Sequence, residues 1–486
     1  MMNRRQFHSF LTAMAVSTTG RVFSQESSSG NARKFQPTWD SLERHQIPDW
    51  FQDAKLGIFI HWGLYSVPAW APPNDQLAKT GGDFAKMDWN AWFTNNPYAE
   101  WYLNSLRITD SPTYKHHIEK YGKNFDYYQF TETFDKSTQS WKPEEWAALF
   151  KKVGARYVVL TTKHHDGFRL WPSAVQNPHA NGRPLSPKRD LVGDLTSAVR
   201  ASGMKMGLYY SGGLDWTFTS EPIRNLKDLT ARVPQSEKYA RYADAHWQEL
   251  IRRYQPSVLW NDINYPKLGQ IPQIFAEYYN TVPEGVINNR FGVPFADYTT
   301  PEYAKYDKIT LEKWESCRGL GFSFGYNQVE GPDQVLPPDQ LVALLVDIVS
   351  KNGNLLLNIG PKPDGTISDI QLDRLHKLGE WLGVNGEALF ESRPWVRAAA
   401  TTPEGADMRF TSKGEALYVV FLHSSGKSLK VPSVHAAEGM TAQVLGSSLK
   451  ATVAQNGNDV LITTEGAPPN PYAVTVKLNP APISLA

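Results

Sequence analysis

Eight short apolar runs punctuate the chain between about residues 50 and 385, and each ends in polar or aromatic side chains. They lie at 58–62, 157–165, 206–211, 258–262, 286–290, 298–303, 322–327 and 355–360. Between several of them the apolar spacing becomes helical. In 190–202, Asp194 is placed to cap a helix carrying Leu195, Ala198 and Val199. In 338–350 the apolar positions are Leu341, Leu344, Leu345 and Ile348. Strand–helix alternation of this length predicts an α/β fold, and eight strands predict a (β/α)8 TIM-like barrel over 36–390. The short run at 322 and long insertions near 75–135 make that barrel irregular. Past Trp381 the period changes to two, with Met408 and Phe410, then Leu417, Val419 and Phe421, then Leu429 and Val431. Glycine-containing turns separate these pairs, so 395–486 is predicted to be a small antiparallel β-sandwich.

Composition narrows the picture modestly. At 41% hydrophobic and 20% charged, the chain has ordinary globular composition, and its net charge of +1 offers no nucleic-acid surface. Sixteen Trp, 22 Tyr and 22 Phe suit either a large core or a site for sugar rings, which show C–H on one face and hydroxyls at the edge. No run approaches 18 apolar residues, so no membrane span is expected. The single cysteine, Cys317, excludes an intramolecular disulfide and any cysteine metal cluster. The N-terminus points to export. Arg4-Arg5 precede a mildly apolar run at 10–16, and Val22-Phe23-Ser24 supply small residues near a cleavage point. That pattern is similar to a twin-arginine signal, followed by a Ser/Gly-rich linker, together filling 1–35.

In a barrel, function gathers at the C-terminal ends of the strands, and there the chain keeps its His, Asp, Arg, Glu and Asn. Trp260 and Asp262 share a face of 258–262. An aspartate ending an apolar strand is costly unless it is paired, capping a helix or functional. Glu302 ends the next run but one. Two carboxylates on separate strand ends can face each other across a barrel mouth, as a retaining glycosidase requires. Between them Asn288 and Arg290 share a face, and Arg290 fits either a buried ion pair or a cation that keeps Asp262 charged. His61, His164, His165 and Asp166 invite a zinc site, packing, or recognition of hydroxyls. Adjacent strand histidines point to opposite faces and no helical i, i+4 pair exists, so metal is the weakest of the three. Tyr209 leads into Gly212-Gly213. There is no G-x-S-x-G elbow, P-loop or H-E-x-x-H.

Taken together, these segments resemble glycoside hydrolase family 29, the α-L-fucosidases. The resemblance runs from about Trp50 to Trp395. It rests on Gly57-Ile58-Phe59-Ile60-His61-Trp62-Gly63, Tyr98-Ala99-Glu100-Trp101-Tyr102, 162–168, 190–195, 259–262, Lys313-Trp314-Glu315-Ser316-Cys317 and 354–361. It implies Asp262 as nucleophile and Glu302 as acid/base. It also implies a fucose grip by His61, Trp101, His164, His165, Tyr209 and Arg290, with Glu100 and Trp260 close by and Phe324 near the sugar methyl. No metal and no cofactor are implied, and the partner is a fucosylated oligosaccharide. One departure is visible: the segment before Lys313 lacks the proline common in the family signature. Two other functions fit the same residues, an exo-glycosidase for α-L-galactosides and a sugar-binding protein that has lost catalysis.

Overall fold

The computed structural model describes residues 34–74, 86–422, 426–468 and 472–485. The expected export signal and most of the linker lie outside the described residues, as does part of the insertion near 75–135.

Seven parallel strands form one sheet. They are β1 (Leu56–Ile60), β2 (Tyr157–Lys163), β3 (Lys205–Tyr210), β4 (Val258–Asn261), β5 (Val286–Ile287), β6 (Trp314–Gly319) and β7 (Gly353–Ile359). Their order is β5-β4-β3-β2-β1-β7-β6. Apart from β6, the strands are largely apolar on both sides because both sides are covered. Ile58, Leu160, Leu208 and Leu357 pack with the helices. Phe59, Val159, Tyr209, Trp260, Cys317 and Leu356 point the other way and meet in a second cluster.

Three expectations change. The run at 322–327 is not a strand, because carboxylates take its amides: Phe322 and Ser323 donate to Glu330, and Gly325 to Glu100. The run at 298–303 joins its neighbours through single parallel bridges, Asn288 to Tyr298, Thr299 to Trp314 and Glu302 to Cys317. On the β6 side several backbone bonds are made, whereas on the β5 side one, Asp297 N to Ile287 O at 2.9 Å, is supplemented by side chains. Ile287 N donates to Asp297 and Thr300 N to Asn289 Oδ1. Conversely, the polar stretch Trp-Glu-Ser-Cys-Arg-Gly is β6, paired with β7 along six residues. Seven strands, not eight, therefore make up the sheet.

Among the helices, Leu191–Ala201 is capped by Asp190, whose Oδ1 accepts from Gly193 N at 2.9 Å. Asp194 instead sits in the first turn and pairs with Arg189 at 2.6 Å. Pro338–Ser350 forms as its spacing predicts, burying Leu341, Leu345 and Ile348.

The C-terminal part is antiparallel. Its strands are β8 (Arg393–Thr401), β9 (Asp407–Lys413), β10 (Ala416–Leu422), β11 (Ser428–Val431), β12 (Val434–His435), β13 (Thr441–Val444), β14 (Ala451–Asn456), β15 (Asp459–Thr464), β16 (Ala473–Asn479) and β17 (Ile483–Ser484). They make a five-stranded sheet (β13-β16-β10-β9-β8), a three-stranded sheet (β11-β15-β14) and the pair β12-β17. Met408, Phe410, Val419 and Phe421 from the first sheet share one core with Leu429, Val431 and Ile462 from the second.

These sheets are tied to the helical layer by a buried carboxylate. Asp347, on the helix Pro338–Ser350, accepts from Lys351 at 2.7 Å and from Arg409 of β9 at 2.6 Å, with Lys305 at 3.3 Å. Burial alone would raise its pKa, but these cations outweigh burial and hold it below the usual aspartate value.

Candidate active site

The C-terminal ends of β1 to β5, with the chain at 298–302, surround one cavity of about 410 Å³. Asp262 follows directly on β4. Its Oδ2 accepts from the Tyr209 hydroxyl at 2.9 Å, and its Oδ1 from Arg290 at 2.9 Å and from Ile263 N at 3.0 Å. Glu302 reaches the same guanidinium: Arg290 Nη1 and Nη2 lie 3.1 and 3.2 Å from its Oε2. The Tyr98 hydroxyl is 3.5 Å from the other oxygen, Oε1.

Each carboxylate is followed by a residue in the left-handed region, Ile263 at φ 52° and Tyr303 at φ 49°. That conformation is costly for a β-branched isoleucine or a bulky tyrosine, and it bends the chain directly after each carboxylate. Asn264 N, bonded to Arg290 O at 3.0 Å, helps to hold the first turn.

Arg290 is itself fixed on every side. Its Nε donates to Thr300 Oγ1 at 2.9 Å, and its guanidinium lies 4.7 Å over the Trp260 ring. Asn288 does not join it. Asn288 exchanges bonds with the backbone of Asn261 instead, clamping β5 to β4. Burial raises the Glu302 pKa above the usual carboxylate value, outweighing the opposing pull of Arg290.

The histidines reach the cavity together. Alternation does not separate His164 from His165, because β2 ends at Lys163 and both rings lie beyond the strand. Their centroids are 4.0 Å apart. Ser211 donates its hydroxyl to Leu214 O, so it accepts from His165 Nδ1 at 2.6 Å, and His165 Nε2 is left as an acceptor 3.9 Å from Asp262. Asn358 Nδ2 donates to Phe324 O, which turns its carbonyl toward His61 Nδ1 at 2.7 Å. His61 thereby also keeps a bare Nε2. Burial pushes the His61 pKa down to about 3 and holds His164 and His165 well below the usual value, so all three are neutral.

Trp101 packs edge-on against His165 at 5.3 Å, and Phe324 tilts against His61 at 4.9 Å. Glu100 lines the same space, but its Oε2 is used by Gly325 N and Ser323, and burial pushes its pKa up to about 8. Among the described residues, no three His, Cys, Asp or Glu side chains converge as metal ligands do.

Several participants escaped the sequence reading. Ser211 and Asn358 orient histidines from other strands, and Tyr98 meets Glu302 across 204 residues of chain. Glu315 lies one layer deeper. It accepts from Trp260 Nε1 at 2.9 Å and from the Tyr157 hydroxyl, and burial raises its pKa to about 7. Its only signal in the sequence is a glutamate two residues from Cys317 within the short segment from Trp314 to Gly319, too weak to find it.

The family model described as "Alpha-L-fucosidase" matches residues 22–387. The chain belongs to the α-L-fucosidase family. Human tissue α-L-fucosidase is 34% identical over 404 residues, covering 80% of this chain and 79% of the human one. Among solved structures, Thermotoga maritima α-fucosidase in complex with fucose is 44% identical with a TM-score of 0.82, covering 92% of this chain and all of that one. The same T. maritima enzyme in complex with a mechanism-based inhibitor gives the same identity, coverage and TM-score. As a family member the chain is a glycoside hydrolase with α-L-fucosidase function, and its cavity is the candidate seat of that activity.

Proposed function

We propose that this fucosidase releases terminal α-L-fucose from glycans by double displacement with retention. Asp262 attacks the anomeric carbon while Glu302 gives a proton to the leaving oxygen. Water, deprotonated by the resulting Glu302 carboxylate, then cleaves the fucosyl ester and frees Asp262. One observation carries this reading. A single Arg290 nitrogen lies 2.9 Å from Asp262 Oδ1 and 3.1 Å from Glu302 Oε2. The two nearest oxygens are thus no further apart than those bonds laid end to end, about 6 Å, which supports the close pairing of carboxyl groups that retention needs.

The environments divide the roles. Asp262 accepts three hydrogen bonds, which fix its carboxylate in place for attack. Glu302 has its Oε2 occupied by Arg290, so its proton sits on Oε1, and burial helps to keep it there. At 23% side-chain exposure against 11% for Asp262, Glu302 is also the more open to water. Neutral His61 and His165 offer acceptors to sugar hydroxyls. His164, Trp101 and Trp260 complete the walls, and Phe324 supplies an apolar contact for the fucose methyl.

Two further statements belong to this reading. The chain at 298–302 acts as an eighth stave closing the sheet into a barrel, supported by its bridges to β5 and β6 neighbours. The Arg4-Arg5 segment exports the protein to where fucosylated glycans are met.

The test is Asp262→Gly. Turnover of an aryl α-L-fucoside should fall by about 10³-fold or more, and added azide should restore part of it. Near-normal activity in that variant would remove Asp262 from the mechanism.

A further inference from the structure

The cavity continues outward past the groups assigned to fucose, and its outer part has a distinct chemistry. From Glu302 Oε1 an aromatic path leads away: the Tyr98 hydroxyl at 3.5 Å, the Trp92 ring edge-on to Tyr98 at 5.5 Å, and Trp89 at 6.5 Å from Trp92. Trp92 is buried and Trp89 half-buried. Leu226 and Leu229 line another stretch of the same cavity. They lie on the short helix Leu226–Ala231, which buries none of its residues. Both leucines are half-buried, and Lys227 between them is exposed. Trp89, Leu226 and Leu229 pack against the core on one side and line this cavity on the other, and partly exposed apolar side chains lining one cavity suit an apolar occupant.

The occupant follows from the direction of the reaction, and this step rests on Glu302 being the acid. The group that protonates the leaving oxygen must stand beside the departing sugar, so the aromatic path that starts at Glu302 and moves outward from Tyr98, which itself packs on Phe324 at 5.7 Å, borders the departing sugar. A pyranose carries C–H bonds on its ring faces and hydroxyls at its edge, which suits indole and leucine surfaces with a lysine at the rim.

We infer that Trp89, Leu226 and Leu229 form the subsite for the sugar to which fucose is attached, a neutral pyranose laid with a C–H face on these side chains. They are specificity-determining residues for the leaving group. They touch no atom that changes its bonding.

The experiment compares two substrates in each variant: an α-L-fucosyl-galactose disaccharide, which fills the subsite, and α-L-fucosyl fluoride, which has no second ring. The quantity read is the ratio of kcat/KM for the disaccharide to kcat/KM for the fluoride. In Trp89→Ala this ratio should fall about three- to tenfold, the range of one aromatic contact. The pair Leu226→Ala with Leu229→Ala, on a helix with no buried residue, should lower it again and serves if the Trp89 variant folds poorly. A ratio unchanged in both variants overturns the inference, even where both rates drop together. Failure of the wild-type protein to hydrolyse the fluoride is a separate result, and it would count against the proposed function instead.

Discussion

Two buried acids in this molecule sit among cations and respond in opposite ways. Asp347, at the junction with the C-terminal sheets, faces Lys351, Arg409 and Lys305 and is held below the usual pKa. Glu302, in the cavity, shares the one guanidinium of Arg290 with Asp262 and is raised. Burial pushes both upward. The difference is stoichiometry: three cations for one carboxylate make a permanent charge, whereas one cation for two carboxylates leaves a proton to be exchanged. The first arrangement joins two parts of a fold, and the second can do chemistry.

That contrast can be broken most forcefully at Glu302. Glu302→Gln should lower kcat on an unactivated fucosyl disaccharide by about 10²–10⁴-fold, the usual worth of a positioned proton donor. It should also erase the alkaline limb of kcat/KM. If Glu302 is the acid as proposed, that limb in the wild type belongs to its raised carboxyl, and activity should fall as pH rises through a value above 4.5. A limb that survives in the variant would assign the proton elsewhere.

At the junction the expected loss is of stability. Asp347→Asn should leave kcat unchanged and cost about 3 kcal/mol, because it strands buried cations. A lowered thermal midpoint would show it, and an unchanged midpoint would deny the junction its role. The sign with pH is also opposite. A depressed folded pKa gives stability that is complete above 3.8 and lost as pH falls below it. Titrating the cavity acid therefore leaves the junction intact.

The smallest effect is expected at Glu315, which touches neither group of the pair. Glu315→Gln keeps an acceptor for Trp260 Nε1 but must reverse the bond to Tyr157. A penalty of about 1 kcal/mol, or a factor of about five in kcat/KM, follows. A loss as large as that of Glu302→Gln would move Glu315 from support to chemistry.

How far the sequence foretold all this depends on which forces acted locally. Strands such as Tyr157–Lys163 and Gly353–Ile359 were legible because burial on both faces leaves an apolar run in each, 157–160 and 355–357. Trp314–Gly319 was not, since its inner face carries Glu315 and Cys317, and a polar strand has no apolar signature. The run at 322–327 deceived in reverse: its aromatics pack, but the carboxylates of Glu330 and Glu100 hold its backbone. Asp190 was passed over as a cap because two aspartates precede the same apolar stripe.

In the cavity, Asp262, Glu302 and the three histidines were readable as charged or polar ends of strands. Tyr98, Ser211 and Asn358 were not, because each acts on a partner brought near only by the fold. Asp262 to Tyr209 already spans 53 residues, and His61 to Asn358 spans 297.

The two imidazoles bonded to Ser211 and Asn358 leave the cavity wall with a polarity of its own. At both positions the protein shows a lone pair and no hydrogen. A molecule settling there has to turn its O–H bonds toward the wall. A ring bearing fluorine or a carbonyl oxygen at the same carbons would set lone pair against lone pair. Orientation of hydrogens, as much as shape, therefore decides what this wall admits.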